Sequence, residues 1–470
     1  MKNGQSTMDR AHLPGRRAFL KCCAGGPLGL YPALALAARL HQGHPLAPRP
    51  GHFPPRAKNL IVIFLTGGFS HVDTFDHKPR LQADHGKKVF ARELRDATDK
   101  PFYLIRSPFT FSRRGQSGLV VSELFPHLGA LADDLCVIRT LHTDILEHFQ
   151  ATLAMHTGSA TVPMPSLGSW LSYGLGTCNR NLPPYVVLAE HMPYAGAQNW
   201  DSSFLPPQHQ GVRLLPGDEP IPDLRPGTRS VKLQELEQMM LRDVNEFHAR
   251  ERPHDLDLRA RSDSFETARG MMREAPAVFD VSGESDDTLR MYGLRRGDNK
   301  SFAWQCLMAR RLVERGVRVV ELIDTGSGNN WDAHGDMQDH RGKALRVDRA
   351  VAALIKDLKQ RGLLGETLLA GCTEFGRTPW GATPHDRGRN HHARAFTCFL
   401  TGAGVKGGTA YGRTDDYGID VVSGPCHVHD LHATILHLMG IDHKKLTYRY
   451  AGRDFRLTDV HGNVLHAILT

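Results

Sequence analysis

No two cysteines of this 470-residue chain stand at C-x-x-C spacing. Cys22 and Cys23 fall in the N-terminal stretch; Cys136, Cys178, Cys306, Cys372, Cys398 and Cys426 lie singly, most of them in apolar runs where cysteine behaves as a small hydrophobe. A structural zinc site and a dense disulfide framework are therefore not expected, although one or two disulfides suit an oxidising compartment. Internal repeats and low-complexity tracts are also missing, which argues against a solenoid. A basic body is missing too. The formal net charge is +8, but residues 1–50 hold seven Lys and Arg against one Asp, so the rest of the chain carries only +2. A nucleic-acid partner is not expected.

What the charge marks instead is the N-terminus. Arg16-Arg17-Ala18-Phe19-Leu20-Lys21 is a twin-arginine pattern, and a weakly apolar, Gly- and Ala-rich stretch follows from Cys22 to Leu40. That stretch is too short and too glycine-rich for a comfortable membrane span. Residues 1–40 therefore read as a twin-arginine export signal, with contact to the membrane only during export and a periplasmic or secreted destination. This route moves folded proteins, which suits a metal loaded in the cytoplasm. Residues 41–57, rich in Pro and His, read as a linker, and 58–470 as the folded domain.

The domain opens with Asn59-Leu60-Ile61-Val62-Ile63-Phe64-Leu65, closed by Thr66-Gly67-Gly68. A continuous β-branched run of this kind is a strand buried on both faces, as in a parallel sheet. Similar runs are Leu135–Leu141, Pro184–Leu188, Val317–Ile323, Thr367–Cys372 and Ala395–Leu400. Helical patterns alternate with them over 148–157, 166–174, 302–314 and 430–439, with Asp430 placed as an N-cap. Val347, Ala350, Val351, Leu354 and Leu358 form a further buried stripe. The alternation predicts an α/β fold: a doubly wound, mostly parallel sheet with helices on both faces. Residues 228–296 read instead as a helical insertion without strands.

In such a sheet, ligands gather beyond the carboxyl ends of the strands, and the chemistry-bearing residues follow that rule. His71, Asp73 and Asp76 follow the first run; His142, Asp144 and His148 follow the second. Asn330-Trp331-Asp332-Ala333-His334, with Asp336 and His340, follows Val317–Ile323. Thr373-Glu374-Phe375-Gly376-Arg377 follows Thr367–Cys372, and Arg389-Asn390-His391-His392 precedes the last run. Carboxylates and imidazoles together supply hard oxygen and borderline nitrogen donors, a set suited to a divalent metal. Arg377 is a candidate for holding an anionic oxygen through its planar fork, or an ion-pair partner for Glu374. His391 and His392, being adjacent, point in different directions if extended, which makes one a bystander. His148 is open to three readings: metal ligand, general acid, or a neutral imidazole near a helix N-terminus. His429, His432 and His437 lie around an apolar helix and read as structural.

Several stretches also resemble the bacterial domain-of-unknown-function family 1501. They are Gly67-Gly68-Phe69-Ser70-His71-Val72-Asp73-Thr74-Phe75-Asp76, His156-Thr157-Gly158-Ser159, Trp331-Asp332-Ala333-His334, Glu374-Phe375-Gly376-Arg377-Thr378-Pro379 and Gly452-Arg453-Asp454-Phe455. The resemblance runs from about residue 58 to the C-terminus. The family is similar in fold to the alkaline phosphatase and sulfatase superfamily, whose members hydrolyse phosphate or sulfate esters with one or two divalent metals. The resemblance implies metal ligands at Asp73 (with His71 and Asp76 as competitors), Asp332, His334, Glu374 and His391. It also implies a hydroxyl or modified-Cys nucleophile at the start of the helix ending in Thr-Gly, where this chain has His148. No Cys-x-Pro-x-Arg or Ser-x-Pro-x-Arg occurs in the chain.

These readings combine into an exported hydrolase of sulfate or phosphate esters, acting on a small-molecule or glycan ester through metal-activated water. The expected metals are one or two of zinc, calcium, magnesium or manganese, held by Asp73, Asp332, His334, Glu374 and His391. His148 and Arg377 are the expected catalytic groups. A non-catalytic relative that binds anionic glycans or a protein partner is the alternative.

Overall fold

The structure is a computed structural model that describes residues 46–92, 98–222, 230–252 and 255–470. The expected export signal and the first part of the linker lie outside these residues.

The apolar runs form the central sheet. Its strands are β1 (Asn59–Phe64), β2 (Cys136–His142), β3 (Tyr185–Ala189), β4 (Val212–Leu214), β5 (Val319–Ile323), β6 (Thr367–Cys372), β7 (Phe396–Gly402), β8 (Thr409–Tyr411) and β9 (Cys426–His427). The order across the sheet is β8-β2-β7-β6-β1-β5-β3-β4, with β9 also paired to β2. All these pairings are parallel except those of β7, which runs antiparallel to both β6 and β2. The run at Ala395–Leu400 thus forms a strand, but one that enters the sheet against the common direction. An apolar run reads the same from either end, so its direction is set by the connection before it.

The period-two alternation of each strand divides the core into two layers. Ile61, Ile63, Val186, Leu188, Val320 and Leu322 point to one layer, which α6 (Phe302–Glu314) and α7 (Asp339–Gln360) cover. Leu60, Phe64, Val187, Ala189, Val319 and Ile323 point to the other. Met155 of α1 (His148–Thr157), Trp170 and Leu171 of α2 (Leu167–Leu175), and Leu431, Ile435 and Leu436 of α8 (Val428–Leu438) cover it. Helices on both faces of a mostly parallel sheet are the doubly wound α/β architecture. Residues 231–292 hold three further helices, α3 (Val231–Arg250), α4 (Leu256–Phe279) and α5 (Asp286–Tyr292). Ala275 and Val278 of α4 and Leu289 and Tyr292 of α5 join the first core layer.

Local chemistry fixes the ends of these elements. Ser166 and Ser301 cap α2 and α6 by accepting from Ser169 and Trp304 backbone N–H groups. At α8 the cap is His427 rather than Asp430; Asp430 sits at the third helical position and completes a capping box with the His427 backbone. The six cysteines from Cys136 onward are free, and all but Cys178 are buried. Beneath α1, the carboxylate of Glu321 on β5 accepts from the Tyr185 hydroxyl and lies 2.6 Å from Nε2 of His156. Burial disfavours charge on His156, but Glu321 outweighs it and holds the imidazole pKa above its ordinary value. This buried pair ties the C-terminal turn of α1 to the sheet and so sets where His148, at the other end of the helix, can reach.

Asp430 accepts from the backbone N–H of His427 at 2.9 Å and of Asn463 at 2.6 Å. Asp430→Ala is expected to lower stability by about 1–2 kcal/mol, read as a shifted midpoint in denaturant unfolding. An unshifted midpoint would show that the box contributes nothing.

Candidate metal centre

Because β1, β2, β5 and β6 run in one direction, their carboxyl ends share one edge of the sheet. The loop after β5 delivers Asp332 and His334, and α1, which follows β2, delivers His148 in its first turn. The loop after β6 folds back as a short antiparallel pairing of Gly376–Arg377 with His391–His392 and delivers His391.

Three imidazole Nε2 atoms converge on the Asp332 carboxylate. His148 Nε2 lies 3.3 Å from one oxygen, and His334 Nε2 and His391 Nε2 lie 2.9 and 3.4 Å from the other. His334 Nε2 and His391 Nε2 are 3.1 Å apart. One donor atom each from His148, Asp332 and His391 fall within 4.8 Å of one another. Donors placed about 2.0–2.1 Å from a tetrahedral ion stand roughly 3.3 Å apart, so the spacing fits a single ion. His148 Nε2 is buried without a well-aligned hydrogen bond, as a donor meant for another partner would be, while Asp332 Oδ1 is engaged by Arg377 at 2.6 Å.

The other nitrogen of each ring supports the same assignment. His148 Nδ1 is 2.7 Å from Glu374 Oε1, His391 Nδ1 is 2.6 Å from the carbonyl of Leu146, and His334 Nδ1 is 3.2 Å from Asn390 Oδ1. An oxygen acceptor at Nδ1 places the proton of the neutral ring there and leaves the Nε2 lone pair aimed at the centre, the arrangement of metal-bound histidines. Three such rings around one carboxylate form a coherent donor set.

Several expected residues occupy supporting rather than central positions. Glu374 is fully buried behind His148; its carboxylate accepts from the Gly67 backbone N–H at 2.8 and 3.1 Å and from the Thr373 hydroxyl at 2.9 Å. Arg377 is also fully buried and pairs with Asp332 at 2.6 Å, not with Glu374. Its remaining donors bond the carbonyls of Gly68 at 2.8 Å, Arg389 at 3.3 Å, and Gly67. The fork expected to hold an anionic oxygen is thus occupied by the protein itself. Asp73 is not brought to the cluster: Arg389 grips it at 2.7 and 3.3 Å in a fully buried bidentate pair, with Ser70 Oγ 2.5 Å away. Its competitors are engaged as well. His71 bonds the Gly418 carbonyl at 2.9 Å, and Asp76 pairs with Lys78 at 3.1 Å. His392 is the bystander of its pair, stacked on His71 and bonded to the Ile419 carbonyl at 2.8 Å. His340 accepts from the Ser70 N–H at 3.1 Å, and burial pushes its pKa down to about 3.

Tyr194 is absent from the sequence reading. Its ring stacks on His148 with centroids 4.3 Å apart and planes 11° from parallel, and its hydroxyl accepts from Asn330 at 3.2 Å. It lies in a Pro- and Gly-containing loop with no periodic pattern, so nothing in the sequence singles it out.

Electrostatics favour cation binding. Burial works against charge on His148, but Asp332 and Glu374 overcome it and hold its pKa above the ordinary 6.5. Burial likewise opposes ionisation of Asp332, yet His148, His391 and Arg377 keep its carboxyl far below the usual range. Protons and metal compete for His148 Nε2. Apparent metal affinity should therefore fall as pH is lowered through the range in which His148 gains its proton, which lies above the ordinary imidazole value; an affinity that stays constant across that range in a chelator-competition titration would remove His148 from the donor set. In the same titration Glu374→Gln should weaken metal affinity by about 10–100-fold.

The chain is similar to the lipoteichoic acid synthase LtaP from Listeria monocytogenes (9% identity, 88% of this chain and 78% of that one, TM-score 0.40). It is also similar to an alkaline phosphatase from the Antarctic bacterium TAB5 (10% identity, 82% and 98%, TM-score 0.34). A protein in the alkaline phosphatase superfamily from Vibrio parahaemolyticus is a third (10% identity, 85% and 70%, TM-score 0.37). No curated protein matches the sequence. The family model described as "Protein of unknown function (DUF1501)" matches residues 57–469, and the chain belongs to that family.

Proposed function

We propose that the protein is an exported metal-dependent hydrolase of sulfate or phosphate esters, with one divalent ion held by His148, Asp332, His334 and His391. The observation that carries this reading is the convergence of three Nε2 atoms on one carboxylate, each ring fixed through Nδ1 by an oxygen. Three imidazoles and one carboxylate favour zinc over the calcium and magnesium ions that prefer all-oxygen sites. When bound, such an ion supplies Lewis acidity toward an ester oxygen and acidifies water.

The chain's own residues give that chemistry an opening and an orientation. His334 is 47% exposed and opens the cluster to solvent. Beside it lies a cavity of about 290 Å³ lined by His334, Trp380, His385, Arg387, Arg389 and Asn390, among others. Arg387, largely exposed and paired with Asp336, places a cation at its rim. Water is the attacking group in this reading, because position 148 opens α1 with an imidazole bonded to Glu374 and not with a hydroxyl. Its oxygen adds to sulfur or phosphorus, the ester oxygen departs, and the proton passes to the leaving group. Glu374 keeps His148 oriented, and Tyr194 covers its ring face.

The absence of a hydroxyl at position 148 also favours a second reading, a binding protein for anionic glycans that keeps the metal without turnover. Metal analysis of the purified protein, followed by assays on aryl sulfates, phosphomonoesters and phosphodiesters, separates the two. The hydrolase reading expects one ion per chain and turnover that falls at least about 100-fold in His391→Ala. Metal without turnover on any of these esters would favour the binding reading, and protein without metal under zinc supplementation would sink the hydrolase reading.

A further inference from the structure

We infer that a cleft beside the metal centre holds the sugar units of a sulfated oligosaccharide whose esterified end reaches His334. The cleft has a volume of about 780 Å³ and lies between the loops after β1, β5 and β6, with segment 105–111 as a further wall. It shares His385 and Arg387 with the cavity of about 290 Å³ that His334 lines, so the two spaces form one track along the carboxyl edge of the sheet. Sites of about 300–1,000 Å³ take ligands of several rings, and the larger space therefore has room for more than the ester itself. The ester end of this track rests on the hydrolase reading; occupancy of the cleft does not require turnover.

The unanswered groups of the cleft are bases. Arg106 is exposed, and its backbone N–H donates to His85 Nδ1 at 3.3 Å. Its guanidinium makes no hydrogen bond or ion pair among the described residues, and the rings of His77 and His385 have no hydrogen-bond partner there either. The two acids in the wall are both engaged. Asp386 accepts from the Thr383 N–H at 3.1 Å and its hydroxyl at 2.6 Å, and Asp336 pairs with Arg387 and accepts from the Gln338 N–H at 2.9 Å. A planar fork left free among answered carboxylates suits a tetrahedral oxyanion, gripped by two N–H groups at once. His77 stacks on Phe111 with centroids 4.4 Å apart and planes 21° from parallel. That pair offers a flat wall to the C–H face of a sugar, and the ring nitrogens around it answer hydroxyls. Ile105 and Phe109 line the cleft but are only 4% and 3% exposed, so an acyl chain would find little apolar surface. One free guanidinium also matches a sulfate that recurs along a glycan better than a phosphodiester chain with a charge on every unit.

Isothermal titration calorimetry of the zinc-supplemented full chain tests this with hexasaccharides from chondroitin sulfate, heparan sulfate and a sulfated galactan. At least one should bind about 10-fold or more tightly than both its desulfated form and the disaccharide of the same polymer. Arg106→Ala should weaken that binding about 10-fold or more with an unchanged unfolding midpoint, whereas Lys444→Ala, an exposed cation outside the cleft, should not weaken it. Failure of all three hexasaccharides to bind would overturn the inference, as would binding indifferent to sulfation, to chain length or to Arg106. A six-residue oligothymidylate that binds as tightly as the best hexasaccharide would overturn it in favour of a phosphodiester chain. The two readings fail separately: aryl esters turned over without hexasaccharide binding would remove the cleft and leave the hydrolase, and Arg106-dependent binding without turnover of any ester would do the reverse.

Discussion

One buried guanidinium holds the working edge of this fold together. Arg377 has no exposed surface, yet it bonds the carbonyls of Gly67 and Gly68 after β1, the carbonyl of Arg389 before β7, and the carboxylate of Asp332 after β5. Two loops far apart in sequence, after β1 and after β5, thus meet on one planar fork that belongs to a third, the loop between β6 and β7. A cation in this setting is unfavourable unless every donor is answered. Here the answering groups are the loops themselves. Their positions follow from the desolvation cost of leaving Arg377 unpaired, and the geometry of Asp332 follows in turn.

The supporting groups behave as a second layer with the same logic. Glu374 fixes His148 from behind while the Gly67 N–H and the Thr373 hydroxyl hold Glu374. Gly67 is needed at this point. Its φ of +106° lies in the left-handed region, and a Cβ there would sit 2.5 Å from Asn330 Oδ1. The carbonyl of Leu146 and the amide of Asn390 do for His391 and His334 what Glu374 does for His148. Deeper still, the buried Glu321 anchors α1 through His156. Positioning therefore passes from the core outward, through hydrogen bonds whose alternative is an unsatisfied buried polar group.

Much of this is legible in the sequence, and the remainder fails for identifiable reasons. Long apolar runs buried on both faces announce β1, β5 and β6, and with them the places where ligands collect. Asp332 and His334 follow from their place after β5 and His148 from its place after β2, whereas His391, ahead of β7, is singled out from His392 only by the family resemblance. Which acid meets which base does not follow. Asp73 and Glu374 each lie after a strand with an arginine available, yet Arg389 takes Asp73 and Arg377 takes Asp332. Those pairings depend on how loops cross in space, and spacing along the chain carries no information about that. Tyr194 is hidden for a related reason: it acts through a ring face, and a lone aromatic in an irregular loop leaves no pattern. The reversal of β7 is likewise a matter of connection rather than composition.

The donors at positions 148 and 391 are separated by more than half of the chain, with β3, β5 and β6 folded between them. No fragment and no early hairpin can bring them together, and contacts of such long range form late. An ion that needs all of them recognises only a chain whose sheet edge is already assembled, and it favours that state by mass action once bound. Occupancy of the centre is then a readout of completed folding: the last contacts to close are the first to report that every strand has found its neighbour.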